Sequence, residues 1–424
     1  MTPEDKLRAH DVEFEKRIYP LAPDVYLAVG YAASNVGLII GTDGLIIVDT
    51  TESTAAAEQI LAGFREITDK PVRTIIYTHS HRDHISGATV FAEGAEVEII
   101  AHPEFESDLV GAETRPGPNK ILLQRTARQF GIGLEAGTER INLGLGPGDR
   151  PMKGMGQGFL PPTRAVTEDG QVLDRCGTRL RFHFAPGECA DTIAVELPAK
   201  GLLFSGDNFY ASFPNLYAIR GTPYRDFTTW ADSLAKLAAL KPTVLAPGHT
   251  RPILGAAEIQ TALADYEAAI RSVIEQTAAG MNAGLTPDAL VQTVALPEPL
   301  RAKPYLQEYY GTVAWAVRAY FAGTLGWFDG DPATLFSLPP AEEADRLAAL
   351  AGGPSALDAA ATRAFEAGDL IWTLKLCAAV LRLDLPEAQA GATRIAALRA
   401  LARQQENACA RNYLLHCAKQ AEKA

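Results

Sequence analysis

Four side chains of the kinds that bind metal ions lie within six residues of one another: His79, His81, Asp83 and His84. The apolar run at residues 72–77 precedes them and predicts a buried strand, so all four are expected on one tight loop at its end. Side chains two residues apart point to the same side, so His79 and His81 are expected to face one metal position. Asp83 and His84 are expected to face a second position nearby. That arrangement suits two neighbouring divalent ions that share a water molecule. Because the chain has only eight histidines, the clustering favours a metal site over a solvated His-rich turn.

The strands that would position this loop alternate with turn residues. Short apolar runs recur from about residue 20 to residue 100, between residues 171 and 206, and at residues 243–246. One helix is predicted inside the first stretch, from Ser53 to Arg65. This mixture of strands and helix predicts an α/β domain in the first part of the chain.

Two other stretches differ in composition. Residues 115–164 are rich in Gly and Pro and predict a long irregular insertion, which in a compact domain is usually a functional loop. After about residue 256, Ala and Leu recur at helical spacing, and three or four helices are predicted from Ser355 to Lys423. Because 424 residues are too many for one compact domain, we predict two: residues 1–255 and residues 256–424.

The His-x-His-x-Asp-His spacing, with a predicted hairpin of apolar strands at residues 35–40 and 44–50, resembles the metallo-β-lactamase superfamily. The resemblance implies an αββα sandwich, in which two β-sheets pack face to face between helices. It also implies that Asp49, after the second of these strands, holds the metal-binding loop in place without binding the metal itself. An aspartate at a turn or at a helix start is the alternative for this residue.

The same resemblance implies a ligand for the first ion in a loop after a later strand. Glu188 stands there, where many superfamily members have a histidine, and it would join His79 and His81. A carboxylate at this position lowers the net charge of the site and favours a harder cation. Cys189 and Asp191 are rival ligands in the same loop.

Two further residues would complete the site by this resemblance. Asp207 ends the next strand and is the implied bridge, because a carboxylate between two dications reduces their repulsion and holds the water between them. His249, after the last strand, would bind the second ion with Asp83 and His84. For Asp207 considered alone, the alternative is an ordinary aspartate at a turn. For His249 considered alone, it is an ordinary histidine at the end of a strand. The expected cofactor is two Zn²⁺ per subunit, and the two aspartates are the predicted catalytic residues.

Several segments resemble the alkylsulfatase branch of this superfamily, which hydrolyses sulfate esters of aliphatic alcohols. They include the carboxylate at residue 188, the segment Asn215–Gly221 and the segment Leu325–Pro332, which is similar to part of that branch's helical dimerisation domain. The resemblance implies that Asn215 and Arg220 bind the sulfate oxygens, a role that suits an amide donor and a planar guanidinium. A surface salt bridge is the alternative for Arg220. The alkylsulfatase resemblance also implies a homodimer formed through the helical domain.

Three features depart from that branch. The bridge is Asp207 where alkylsulfatases usually have glutamate, and residues 210–214 lack the histidine expected there. The chain also ends before the sterol-carrier-like C-terminal domain of those enzymes, which weakens the case for long-chain substrates. The expected function is zinc-dependent hydrolysis of organic sulfate esters by a metal-bridged hydroxide. Hydrolysis of a lactone, thioester or β-lactam on the same scaffold is the alternative.

Composition argues against other classes of protein. The net charge of −12, without any run of Lys or Arg, argues against nucleic-acid binding. The expected partner is the small anionic sulfate ester that the alkylsulfatase resemblance implies. No stretch reaches the roughly 18 uninterrupted apolar residues of a membrane span. The polar N-terminus lacks a signal core, so a cytoplasmic location is expected, or a periplasmic one if a leader was removed.

Overall fold

The computed structural model of the protein describes residues 1–107 and 119–423. Within this part of the chain, two mixed β-sheets pack face to face. In the first sheet, the antiparallel pairs run from β1 to β4 and the parallel pairs from β4 to β7. Its seven strands are paired in chain order: Arg17–Ala22 (β1), Val25–Val29 (β2), Val36–Ile40 (β3), Leu45–Val48 (β4), Val72–Ile76 (β5), Glu98–Ala101 (β6) and Arg164–Ala165 (β7).

The second sheet carries the later strands, also paired in chain order. Its pairs are antiparallel except β11 with β12, which run parallel. Apolar side chains of both sheets, among them Ile46, Phe182 and Phe204, form one buried cluster between them. The six strands are Val172–Arg175 (β8), Thr178–Phe184 (β9), Ile193–Leu197 (β10), Leu202–Gly206 (β11), Val244–Pro247 (β12) and Ile253–Leu254 (β13).

Helices cover both outer faces of this sandwich and continue beyond it. The α-helices before the second sheet are Pro3–Ala9 (α1), Thr54–Arg65 (α2), Arg82–Ile85 (α3), Ala88–Ala92 (α4) and Asn119–Gln129 (α5). Those that follow β11 are Phe227–Ala239 (α6), Ala256–Asn282 (α7), Pro287–Thr293 (α8), Glu298–Arg301 (α9), Val313–Leu325 (α10), Pro340–Ala351 (α11), Pro354–Glu366 (α12), Leu370–Val380 (α13), Ala390–Arg403 (α14) and Ala408–Ala421 (α15).

The layer order is helix, sheet, sheet, helix. On one side, Ile60 and Phe64 of α2 pack against Ile47 of the first sheet. On the other side, Trp230 of α6 belongs to the cluster that includes Leu245 of the second sheet. The helix predicted from Ser53 is confirmed, and the Ser53 hydroxyl caps it by accepting a hydrogen bond from the N–H of Ala56 at 3.1 Å. The αββα sandwich followed by helices is therefore confirmed.

The second half of the chain is helical, as expected. Four helices, α12 to α15, occupy the stretch where three or four were predicted. The predicted boundary at residue 255 stays a prediction: α7 begins at Ala256, and its buried Tyr266 shares an apolar cluster with α6. In residues 1–107 and 119–423, no helix combines the length and apolar composition needed to span a bilayer.

The glycine-rich insertion is only partly irregular, so that prediction is wrong over one segment. Residues 119–129 form α5, which packs against α15. The segment contains neither Gly nor Pro and carries Leu, Gln, Arg and Lys, which favour a helix. Gly117 precedes this segment in the sequence, and the next glycine is Gly131, after the helix has ended. Residues 115–118 lie outside the described residues.

Candidate metal centre

The loop after β5 is held by Asp49, which follows β4. Its Oδ1 accepts a hydrogen bond from the backbone N–H of Thr78 at 2.8 Å, and its Oδ2 accepts one from the Thr78 hydroxyl at 2.8 Å. The same Oδ2 lies 2.8 Å from Nδ1 of His84. A carboxylate that accepts the hydrogen of Nδ1 leaves Nε2 as the metal-binding atom. Asp49 thus lies in the supporting position that the sequence predicts.

The three residues predicted for the second ion meet in the structure. Nε2 of His84 lies 3.5 Å from Oδ2 of Asp83 and 3.3 Å from Nε2 of His249. Nε2 of His249 lies 3.4 Å from the same Asp83 oxygen. Nδ1 of His249 lies 2.7 Å from the carbonyl oxygen of Ala33, and this contact orients the imidazole ring. Two imidazole nitrogens and a carboxylate oxygen at these separations suit one cation.

Asp207 lies between the two predicted metal positions. Its Oδ2 is 3.5 Å from Nε2 of His79 and 3.2 Å from Nε2 of His249, and its Oδ1 is 3.3 Å from Nε2 of His84. Nε2 of His79 and Oδ1 of Asp207 are buried and have no hydrogen-bond partner in residues 1–107 and 119–423. Because buried polar atoms nearly always have a partner, these two atoms fit a bound cation. The imidazole and carboxylate donors suit zinc.

Glu188 approaches this cluster with both of its oxygens already engaged. One oxygen lies within 4.8 Å of ligand atoms of His81 and Asp207. Oε1 forms an ion pair with Nη1 of Arg225 at 3.0 Å, and Oε2 accepts a hydrogen bond from the Tyr210 hydroxyl at 2.9 Å. The protein itself therefore orients this carboxylate, and its ligation of the first ion stays a prediction.

The two rival ligands of the same loop fit a metal less well. Burial and the charge of Asp191 raise the pKa of the Cys189 thiol to about 12, so the thiol is protonated at neutral pH. Both carboxylate oxygens of Asp191 are buried and have no hydrogen-bond partner among the described residues, which by itself would also suit a cation. Within the described residues, neither side chain joins a group of three ligand atoms close enough to share an ion, whereas Glu188 does. The geometry favours Glu188.

Polar atoms without partners lie beside the ligand cluster. In the part of the chain that the structure describes, Nδ2 and Oδ1 of the buried Asn215 have no hydrogen-bond partner, and neither do Nη1 of Arg220 or Nε and Nη2 of Arg225. Burial, the charge of His79 and then the charges of both guanidiniums lower the pKa of His81 well below its usual range. Arg225 itself contacts the ligand cluster through Glu188. A buried Nη1 does not suit the alternative of a surface salt bridge for Arg220, and donors of this kind suit an anion.

Comparison with known proteins places this site in a family. The metallo-beta-lactamase superfamily model matches residues 29–249, and the alkyl sulfatase dimerisation model matches residues 286–424. The chain is 37% identical over 393 residues to a linear primary-alkylsulfatase of Pseudomonas sp., over 91% of this chain and 73% of that protein. This chain belongs to the alkylsulfatase family. Its αββα part is accordingly a metallo-β-lactamase-type metal-dependent hydrolase fold.

Two other alkylsulfatase relatives agree with this assignment. An alkyl/aryl-sulfatase of Saccharomyces cerevisiae is 30% identical over 412 residues, which are 94% of this chain and 62% of that protein. The solved structure of the stereoselective inverting sec-alkylsulfatase Pisa1 from Pseudomonas sp. superposes with a TM-score of 0.86 at 26% identity, over 95% of this chain and 65% of that one. The chain thus spans less than two thirds of the length of these two relatives.

The charges of this alkylsulfatase-type site stabilise one another. Burial disfavours the charged form of Asp207, but the neighbouring His249, His84 and His79 outweigh it and hold the pKa of Asp207 well below its usual range. Burial likewise disfavours the charged form of His84, but the negative charges around it, beginning with Asp207 and Asp83, raise its pKa well above the usual range. Asp207 is therefore ionised at neutral pH, as metal binding requires, whereas His84 has to release a proton from Nε2 before it can bind a cation.

Two residues of this alkylsulfatase site, Arg225 and Tyr210, are not assigned a role by the sequence. Arg225 precedes Asp226, whose Oδ1 caps α6 by accepting a hydrogen bond from the N–H of Thr229 at 2.7 Å. An Arg-Asp pair before a helix usually lies in solvent, so no local signal distinguishes this arginine. Tyr210 is equally an ordinary aromatic residue in an apolar segment. Only their contacts with Glu188 identify them.

Proposed function

We propose that this protein hydrolyses sulfate esters of organic alcohols with two zinc ions per subunit. The observation that carries the proposal is the unpartnered donor set of Asn215, Arg220 and Arg225 beside seven convergent metal-binding side chains. A sulfate monoester carries one negative charge on oxygens that such donors bind. The alkylsulfatase names of the relatives in Pseudomonas sp. and Saccharomyces cerevisiae support the same substrate class.

We propose that His79, His81 and Glu188 hold the first zinc ion and that Asp83, His84 and His249 hold the second. The position of Asp207 between the two histidine groups supports its assignment as the bridging ligand. When bound, two zinc ions supply a nucleophilic water molecule whose pKa lies near neutrality. Asp83 and Asp207 would orient that water through its hydrogens.

The substrate anion would be held by Asn215 and Arg220. The Arg220 backbone N–H donates to Oε1 of Gln129 at 2.9 Å, which fixes the main chain beside the pocket. The free Nη1 and the Asn215 amide then supply directed donors to the sulfate oxygens. Such donors stabilise negative charge on the sulfate oxygens as the ester is hydrolysed.

A homodimer formed through the helical region is part of the proposal. The segment from the last residue of α10 to the start of α11 leaves large apolar side chains in solvent, including Leu325, Trp327 and Phe336, which is 84% exposed. Exposed apolar patches of this kind mark association surfaces. This segment lies within the region that the dimerisation model matches. Light scattering should report about twice the 45.4 kDa mass of one chain, and a mass near that of one chain would contradict the dimer.

Sulfate release from a panel of alkyl and aryl sulfates tests the reaction. We expect zinc-loaded protein to release sulfate, and we expect Arg220→Ala to lower kcat/KM by about a hundredfold, because a charge-assisted donor is lost. Arg65→Ala on α2, where the guanidinium bonds the carbonyl oxygen of Lys70 at 2.6 Å, is the matched control and should retain activity. Absence of sulfate release from protein that holds two zinc ions would reject the proposal. Lactones, thioesters and β-lactams would then be assayed with the same samples.

A further inference from the structure

The loop that follows β4 orients both histidines of the predicted second metal position. Asp49 does so directly, because its Oδ2 lies 2.8 Å from Nδ1 of His84. Glu52, three residues later, acts through the main chain. Its Oε1 accepts a hydrogen bond from the backbone N–H of Ala33 at 2.8 Å, and the carbonyl oxygen of Ala33 lies 2.7 Å from Nδ1 of His249. The position of Ala33 therefore fixes the orientation of the His249 ring.

Glu52 is itself held by an arginine of the glycine-rich insertion. Nε of Arg150 lies 2.6 Å from the same Oε1 atom that accepts the N–H of Ala33, and the side chains of Arg150 and Glu52 are only 2% and 7% exposed. A buried carboxylate that loses its cationic partner keeps the cost of its desolvation, so it is driven to move towards water. Arg150 therefore keeps Glu52 against the N–H of Ala33.

The insertion contacts Ala33 a second time, at its carbonyl oxygen. Leu143 and Leu145 share a buried apolar cluster with Ala33. A Cβ atom added to Gly146 would lie 2.7 Å from the carbonyl oxygen of Ala33, closer than a side-chain carbon normally approaches. This is the oxygen that faces His249. Glycine at position 146 therefore leaves the room that this carbonyl group needs.

We propose that Arg150 is a positioning residue for His249, so that the glycine-rich insertion sets the affinity of the second metal position. Arg150 acts through Glu52 and Ala33 rather than by contact with a metal ion. The inference rests on the proposed function, since it takes His249 as a zinc ligand. Loss of the residues that orient a metal ligand typically weakens metal binding by roughly 10- to 100-fold.

A pair of substitutions separates this role from a general contribution to stability. Arg150→Met removes the cation and leaves the carboxylate of Glu52 buried and unpaired. Glu52→Gln, added to that variant, removes the unpaired charge and keeps a side-chain oxygen that can accept the N–H of Ala33. We expect Arg150→Met to weaken the binding of one zinc ion by about tenfold or more, and the double variant to regain most of that affinity.

Arg140 supplies a matched control within the same insertion. It is also a buried arginine, and its Nε and Nη1 donate to the carbonyl oxygens of Gly148 and Gly131 at 2.8 and 2.9 Å. Arg140→Met makes the same chemical change at hydrogen bonds that are internal to the insertion. We expect it to lower the temperature of thermal unfolding and to leave both zinc affinities unchanged.

Chelator competition on the full chain measures the affinity of each zinc ion, and thermal unfolding of the metal-free protein measures stability. His249→Ala identifies the binding step that belongs to His249. A loss at that step in Arg150→Met, regained in the double variant and absent in Arg140→Met, supports the proposal. An unchanged affinity, a loss at the other step, a loss that the double variant does not regain, or an equal loss in Arg140→Met would overturn it.

Gly146→Ala decides the question if Arg150→Met does not fold. The added methyl group would displace the carbonyl group of Ala33, so it should weaken the same zinc ion. Gly148→Ala is the paired control, because its methyl group would meet the carbonyl oxygen of Ile141 inside the insertion instead. Equal zinc affinities in these two variants would contradict the proposal.

The same measurements distinguish failure of this inference from failure of the proposed function. If wild-type protein binds two zinc ions but releases sulfate from no ester, the proposed reaction is rejected. The zinc affinities of the variants then still decide the role of Arg150. If wild-type protein binds fewer than two zinc ions, both proposals are wrong.

Discussion

The β-sandwich buries charged side chains, whereas the helical region leaves apolar side chains in solvent. At the metal centre, His79 and His84 are fully buried and Asp207 is 3% exposed. Between α10 and the end of α11, Phe336 is 84% exposed and Leu350 is 86% exposed. Charged residues are usually exposed and large apolar residues usually buried. The metal centre departs from the first rule, and the helical region departs from the second.

In each region, the free-energy cost of these side chains indicates what kind of partner would bind there. A buried polar atom without a partner costs free energy, so the orphaned atoms of His79, Asp207 and Arg225 fit bound ions. An exposed apolar side chain costs free energy because it orders water, so Trp327 and Phe336 fit a protein partner. We infer that cations and an anion complete the sandwich and that a second chain completes the helices.

The largest expected effect comes from removing charge at the centre of the sandwich. Asp207→Asn keeps the size of the side chain and removes the negative charge that faces His84 and His249. We expect sulfate release to fall by about a thousandfold or more, because the group that orders the nucleophile is lost. Zinc content by mass spectrometry should fall as well. Retained activity with two bound zinc ions would show that Asp207 is not the bridge.

His10 lies where the two regions meet, and a substitution at this residue tests the contact between them. Its Nε2 lies 3.0 Å from the carbonyl oxygen of Gly144, and its ring stacks on Tyr309 with the centroids 4.1 Å apart. Burial lowers the pKa of His10 from 6.5 to about 4. The unfolded chain therefore binds a proton that the folded chain does not, so stability is complete above pH 6.5 and is lost as the pH falls towards 4.

We expect the wild-type protein to lose roughly 3 kcal/mol more unfolding free energy than His10→Gln between pH 7.5 and pH 4.5. Denaturant unfolding at both pH values measures it. The glutamine variant keeps every predicted metal ligand, so loss of zinc at low pH affects both proteins alike. Equal losses in the two proteins would show that burial does not keep His10 neutral.

The smallest expected effect concerns the exposed apolar segment. Trp327→Ser should raise the dissociation constant of the homodimer by about tenfold, since burial of a large apolar side chain contributes about 1.5 to 3 kcal/mol. Leu254→Ser, at an exposed apolar position on β13 of the sandwich, is the control and should leave the constant unchanged. Analytical ultracentrifugation over a dilution series measures both. Equal constants for wild type and Trp327→Ser would place the interface elsewhere.

The sequence by itself predicted most of the elements, and its resemblance to a known superfamily predicted the residues of the candidate metal centre. Residues 79–84 form one loop because a buried strand delivers them within one turn, and local spacing is enough to recognise this. The resemblance implied Asp207 and His249 as ligands, and they lie just after β11 and two residues after β12. The sequence also indicated the helical second half, since the repeat of Ala and Leu at helical spacing is a local property.

Only the tertiary structure decided how Glu188 is held. The ring that joins it to Tyr210, Asn215 and Arg225 unites residues as far as 37 positions apart in the chain, and no local pattern distinguishes its members. The exposure of Trp327 was equally undetermined, because an apolar residue in a helical region is usually buried. Burial and long-range contacts depend on how the elements pack, which the spacing of residues along one element does not specify.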